Sequence, residues 1–273
     1  MLIYNQTSTK QQARREANMY LKIVSLGWMA EKPIPDLSLV RQDRETYTIR
    51  IKDQGERLVE VRDHGLKGDN HFWVMKNPPV SLAIPHLLVR ESLVHLLGQA
   101  NQFLMENEDW KLFIKDGWRP VALQEDRYQY NRGKLQQEHP DWSPEEVDKR
   151  MQGWFTRVMG GDALRTAPPP HCTGAAVDVV LQDHRDGQLI PMGGGPGRNW
   201  PDLYEQEEEK RDLSLEEKEF QRNRRILFWT MVLSGFAPNP TEWWHYSWGD
   251  QMWAGWYKAP AAIYGLVETI NGD

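Results

Sequence analysis

The chain has 273 residues, 40% of them apolar, with 13 Trp, one Cys, a net charge of −6 and a pI of about 5.8. That acidic balance argues against nucleic acid as the main partner, because a phosphate backbone rewards clustered Lys and Arg. No run of about 18 apolar residues marks a membrane span, no basic-then-apolar leader opens the chain and a lone Cys172 cannot form an intrachain disulfide, so we expect a soluble, cytoplasmic protein.

Residues 8–29 read as an amphipathic helix that Ser8 can cap, with Ala13, Ala17, Tyr20, Leu21 and Val24 on one face. It suits a packing arm or a dimer contact, with a membrane-surface helix as the alternative. Pro33 and Pro35 break it, so 1–40 is read as a helical extension and 41–273 as one domain. Thr46–Ile51 and Leu58–Val61 read as short strands around an Asp53-Gln-Gly55 turn, and Pro78-Pro79 marks a loop. Residues 88–106 carry a helical stripe of Leu93, Leu96, Leu97, Ala100, Phe103 and Leu104. Lys111–Lys115 reads as a strand running into Asp116-Gly-Trp-Arg119-Pro120. Ser143-Pro-Glu-Glu146 is a capping box with Pro at the first helical position; its helix places Val147, Met151, Trp154, Phe155 and Val158 on one side. Ala175–Leu181 reads as a buried strand. Gly193-Gly-Gly-Pro-Gly197 lacks the Lys-Ser/Thr of a phosphate loop and reads as a flexible loop. Ser214-Leu-Glu-Glu217 opens a further helix to about Ser234, stopped by Gly235. Helices and strands mix without regular βαβ alternation, which predicts an α+β fold.

Candidate chemistry gathers in two short segments. His171-Cys-Thr-Gly-Ala-Ala-Val-Asp178 supplies a His and an Asp, and Glu242-Trp-Trp-His245 a Glu and a second His. Two imidazoles and one carboxylate suit a single Zn²⁺ and leave its fourth position open. Glu242 then remains as a carboxylate without a ligand's role, as a general base would be. Asp178 sits in an apolar strand, where an unpaired carboxylate costs several kcal/mol, so it needs several donors or a cation, such as a metal or an Arg. On a helix Glu242 and His245 share a face. The aromatic run instead favours a strand, which needs Glu242 at its mouth or a bulge beside it; Pro238-Asn-Pro240 fits a loop entering such a strand.

Arg119, biased toward extended backbone by Pro120, can aim its planar fork into a cleft at a carboxylate or oxyanion, or make a surface salt bridge. Cys172 should diverge from the proposed metal, and a Cys172–His171 nucleophile has poor geometry. Trp243, Trp244, Trp248, Trp253 and Trp256 read as core, with a sugar-stacking platform as the alternative.

These motifs together resemble the D-alanyl-D-alanine dipeptidases of the vancomycin-resistance type, zinc D,D-peptidases related to hedgehog proteins. Asp116-Gly-Trp-Arg119-Pro120 is similar to that family's Asp-Gly-Tyr/Trp-Arg-Pro segment. Asn223-Arg224 through Gly235-Phe236 is similar to its helix before Glu-Trp-Trp-His, and Asp186-Gly187 through Met192-Gly193 to its hairpin. The likeness runs from about 55 to 258. It implies a single zinc-peptidase domain with a central antiparallel sheet flanked by helices, and one Zn²⁺ on His171, Asp178 and His245. It further implies Glu242 as general base and proton donor to the leaving amine, Arg119 as the group facing the oxyanion or orienting substrate, and a small D-dipeptide as the partner. Pro169-Pro170-His171 departs from the family's Ser-x-His, and Met192-Gly-Gly-Gly-Pro from its Met-Gly-Thr-x-Phe-Asp, which predicts looser selectivity for D-Ala-D-Ala. A peptidoglycan carboxypeptidase or endopeptidase and a hedgehog-like zinc-binding module are the alternatives. Nothing in the sequence gives the oligomeric state.

Overall fold

The alternation of apolar and polar residues in 110–116 and 176–183 fits strands with one buried face, and both form. The computed structural model describes residues 21–37, 46–75, 82–151, 158, 160–194 and 212–269. In chain order these contain α1 (Leu26–Glu31), β1 (Leu58–Glu60), β2 (Lys67–Gly68), α2 (His71–Met75), β3 (Leu88–Arg90), α3 (Glu91–Glu108), β4 (Trp110–Asp116) and α4 (Val121–Glu138). There follow α5 (Pro144–Met151), α6 (Asp162–Thr166), β5 (Ala176–Asp183), α7 (Leu215–Leu233), β6 (Ala237–Asn239), β7 (Glu242–Ser247) and α8 (Gln251–Tyr257). The fold is α+β, as expected.

β1 and β3 pair antiparallel, and a larger sheet runs β2-β4-β5-β7-β6, antiparallel except for β2 beside β4. On β5, Val177, Val179 and Leu181 face one way and join a core with Leu93, Leu97 and Leu104 of α3 and Leu227 and Met231 of α7. Asp178 and Val180 face the other way. One face of the sheet is therefore core, and the other is available for chemistry. Ser214 and Glu217 form a reciprocal capping box at the start of α7, and Gly235 follows its end at a φ of 95°. Both ends lie where the sequence puts them.

Three expected elements differ. Of the helix expected over 8–29, residues 8–20 lie outside the described residues. The rest is not continuous: Ser25 caps a separate α1, its Oγ accepting from Trp28 N at 3.2 Å. Thr46–Ile51 is no strand. It holds a 3₁₀ turn at Thr46–Thr48 and one bridge from Ile51 to Ala262. Two of its carbonyls are satisfied by a side chain instead of a ladder: Gln251 Nε2 donates to Tyr47 O at 3.1 Å and to Ile49 O at 2.6 Å. The 88–106 helix begins only at Glu91, because Leu88–Arg90 pairs with β1. In the helix opened at Ser143, residues 152–157 lie outside the described residues, as do 195–197 of the glycine-rich loop. Residues 21–37 pack onto the domain, Met29 in the main core and Ile34 and Leu37 against Phe228 and Val232 of α7.

Candidate metal centre and active site

β5 pairs Asp178 with Asp116 on one side and with His245 on the other, so the sheet register alone sets these three residues in a row. His171 arrives from a 3₁₀ turn, Pro170–Thr173, that ends at Gly174 with φ 70°. Backbone bonds lock this turn to its neighbours. Arg119 N donates to His171 O at 3.1 Å and Arg90 N to Gly174 O at 2.8 Å. Arg90 Nε donates to Thr173 O at 2.8 Å.

His171 Nε2 lies 3.1 Å from His245 Nδ1 and 3.2 Å from Asp178 Oδ1, and His245 Nδ1 lies 3.2 Å from the same oxygen. Outward contacts fix what these atoms carry. His171 Nδ1 is 2.8 Å from Gly117 O. A carbonyl only accepts, so Nδ1 holds the hydrogen and Nε2 of the neutral ring presents a lone pair. His245 Nε2 is 3.4 Å from Ser247 Oγ, a hydroxyl that can accept the Nε2 hydrogen and so leave a lone pair on Nδ1. Asp178 Oδ1 is buried and has no hydrogen-bond donor among the described residues. Three acceptor atoms thus converge with nothing between them. Such a set is repulsive unless a cation occupies its centre. The triangle's edges match the roughly 3.3 Å that a tetrahedral ion with bonds of about 2.0–2.1 Å requires. His171, Asp178 and His245 can therefore hold a metal ion.

Without a metal a proton can substitute. Burial raises the Asp178 carboxyl, but the His171 and His245 imidazoles outweigh it and hold the group well below its ordinary range. Burial lowers His245, and Asp178 more than offsets this, so its net shift is upward.

Glu242 and His245 lie on a strand, and the register shift between β6 and β7 makes this workable. Pro238 pairs with Tyr246, but the next residue, Asn239, pairs with Glu242. The surplus residues on β7 bulge, and Glu242 Oε2 comes within 3.7 Å of His245 Nδ1. Asn239 Nδ2 donates to that oxygen at 2.9 Å, and Asn239 Oδ1 accepts from Thr241 N at 3.0 Å. Burial raises the Glu242 carboxyl, and the opposing pull of His245 does not cancel it.

Arg119 makes a buried ion pair, not a surface one. Its Nε and Nη2 donate to Asp116 Oδ2 at 3.2 and 2.5 Å, and Nη1 to Gln124 Oε1 at 2.5 Å. Burial works against its charge, but the Asp116 and Asp178 carboxylates prevail and raise its pKa. Cys172 is buried, and burial pushes its thiol up to about 12, which removes it as a nucleophile. Trp243 and Trp248 belong to the main core, with Trp244 and Trp253 packed against it, and Trp256 packs on the smaller cluster with Phe228. Among the described residues, then, these five side chains pack as core.

Sequence reading missed Asn239, Ser247 and Gln124. Asn239 lies between two prolines and read as loop. Ser247 and Gln124 stand in no ligand-like spacing. Only their positions, two residues past His245 and four past Pro120, hinted at a supporting role.

Residues 86–262 match the family model described as D-ala-D-ala dipeptidase. This span is more than half of the chain and includes every candidate residue above. The chain belongs to the D-Ala-D-Ala dipeptidase family. A D-alanyl-D-alanine dipeptidase of Synechocystis sp. is 32% identical over 241 residues, covering 81% of this chain and 95% of the relative. One of Streptomyces coelicolor is 38% identical over 162 residues, 58% of this chain and 71% of the relative. Membership makes the chain an enzyme of the metallopeptidase class. Among the described residues, no helix is long and apolar enough to cross a membrane.

Proposed function

We propose that the protein is a zinc-dependent dipeptidase that hydrolyses D-amino-acid dipeptides such as D-Ala-D-Ala. The observation that carries this reading is the convergence of His171 Nε2, His245 Nδ1 and Asp178 Oδ1 as bare acceptors with edges of 3.1–3.2 Å. Two nitrogens and an oxygen at this spacing suit Zn²⁺, which would bring Lewis acidity to a water and to the scissile carbonyl.

The chain's own residues supply the rest. Glu242, with Oε2 steadied by Asn239, takes the proton of the attacking water and returns it to the departing amine. A carboxyl raised by burial is better matched to that shuttle than an ordinary one. Arg119 keeps a fixed positive charge beside the ligands, oriented by Asp116 and Gln124. A planar, permanently charged group held rigid in a buried site suits the developing oxyanion. Gly117 O and Ser247 Oγ face the outer nitrogens of the two imidazoles and suit the tautomers a metal needs.

The test is amine release from a panel of D,D-, L,D- and L,L-dipeptides and a stem pentapeptide, with protein as purified, stripped by chelator, and restored with Zn²⁺. D-Ala-D-Ala should be cleaved, with D-Ala-Gly and D-Ala-D-Ser competing within about 100-fold, since Pro169 offers the substrate amine no side-chain hydrogen bond. Activity should vanish on stripping and return with zinc. Undiminished activity after stripping, or cleavage of the pentapeptide with none of the dipeptides, overturns the proposal.

A further inference from the structure

A second guanidinium lies beside Arg119. Arg127 is half-buried on α4, and its Cζ stands 4.0 Å from the centre of the Phe72 ring. Arg119 Cζ stands 5.0 Å from the same centre. The ring is a fixed support, because Asn70 anchors α2. Asn70 Oδ1 accepts from Phe72 N at 3.1 Å and Trp73 N at 3.3 Å, and its Nδ2 donates to His86 O at 3.1 Å.

Burial lowers the Arg127 pKa to about 9, Arg119 adds to the fall, and Asp116, Asp178 and Glu242 oppose it. The charge of Arg127 is thus coupled to the proposed metal ligand and to the proposed base. Crowding two like charges onto one ring in a low-dielectric setting works against folding, and a purely structural aromatic contact needs only one of them. Arg119 directs Nε, Nη2 and Nη1 at Asp116 and Gln124, which fixes it beside the proposed ligands. Arg127 keeps partial solvent access at the same ring. A dipeptide brings one carboxylate that takes no part in bond breaking, a few ångströms from the reacting carbonyl. A planar fork is the side chain best matched to it.

We propose that Arg127, braced by Phe72, is a specificity-determining residue that receives the substrate's terminal carboxylate and so selects peptides with a free C-terminus. This inference rests on the dipeptidase reading, and its test separates the two. Hydrolysis of D-Ala-D-Ala and of D-alanyl-D-alaninamide would be compared in the metal-loaded wild type, Arg127→Gln and Arg127→Lys. The wild type should favour the free acid. Arg127→Gln should lose about 10–100-fold in kcat/KM for the acid, chiefly through KM, and little for the amide, so the preference collapses. Arg127→Lys keeps the charge without the fork and should fall between, and it decides the matter if the Gln variant does not fold. A preference for the acid undiminished in the folded variants overturns the inference.

Calorimetric binding of the same two ligands to Glu242→Gln, with and without Arg127→Gln, supplies a readout independent of turnover. Acid-selective binding that needs Arg127 supports the inference even if no hydrolysis occurs, in which case the dipeptidase reading alone falls. Equal binding of acid and amide, or binding of neither, overturns it.

Discussion

Arg119 shows how much a single side chain's surroundings decide. As a residue in a turn it had two readings, cleft or surface, and what separates them is burial: 5% exposure with both sides of the fork occupied. Removing one partner of a buried pair leaves the other uncompensated. We therefore expect Arg119→Lys to lower kcat on D-Ala-D-Ala nearly as far as Arg119→Ala does, about 10²-fold or more, because an ammonium cannot bridge Asp116 and Gln124 while facing an oxyanion. Steady-state kinetics on the two variants checks this; a Lys variant with wild-type kcat would reduce Arg119 to a source of diffuse charge. At this scale the candidate residues could be named from the sequence: His171, Asp178, Glu242 and His245 stand in two short segments, and Arg119 in Asp116-Gly-Trp-Arg119-Pro120. Their supports could not, because Asn239, Gln124 and Ser247 act through a hydrogen bond whose partner is distant in sequence or hidden by a bulge.

At the scale of elements, the site is a consequence of register. Asp116, Asp178 and His245 line up because β4, β5 and β7 pair as they do, and Glu242 reaches the row only through the β7 bulge. The turn before β5 is equally exacting. Gly174 has φ 70°, and a Cβ there would lie 2.4 Å from Leu58 Cδ2. Gly174→Ala should cost about 1–2 kcal/mol from the left-handed backbone, with more if Leu58 cannot shift, and should weaken metal binding by moving His171. Thermal unfolding and metal titration measure both; an unchanged Tm would show that the turn tolerates a side chain. Periodicity revealed most of α3, and a capping box and glycine stop marked α7, while short apolar runs marked β4 and β5. Periodicity did not reveal α4, a largely polar helix that buries only Leu123, Gln124, Tyr128 and Leu135, nor α8, a short helix of seven residues. The strand expected at 46–51 failed for another reason: local β-propensity was real, but Gln251 gave the Tyr47 and Ile49 carbonyls a different partner.

For the whole molecule, the centre links distant parts of the chain, so its occupancy should be felt as stability. A ligand that binds the folded state alone raises Tm by mass action, and an ion held by groups from β5, β7 and the turn before β5 cannot find its site in the unfolded chain. Chelation should lower Tm and Zn²⁺ should restore it, while His171→Ala should show no such difference. The effect has a pH direction. His245, raised above its ordinary value, holds its proton more tightly in the metal-free fold, and that proton competes with the metal. The stabilisation by zinc should therefore be full above the raised pKa and shrink as pH falls through it. A zinc-dependent Tm shift that is equal in His171→Ala would remove that residue from the ligand set. The central claim, that Glu242 works as a base beside a metal held by His171, Asp178 and His245, is tested most directly by one paired measurement. Zinc content and D-Ala-D-Ala hydrolysis are determined on the same preparations of wild type and Glu242→Gln. The account predicts about one Zn²⁺ per chain in both and a loss of roughly 10²–10⁴-fold in kcat for the variant; turnover within a few-fold of wild type at equal zinc would contradict it.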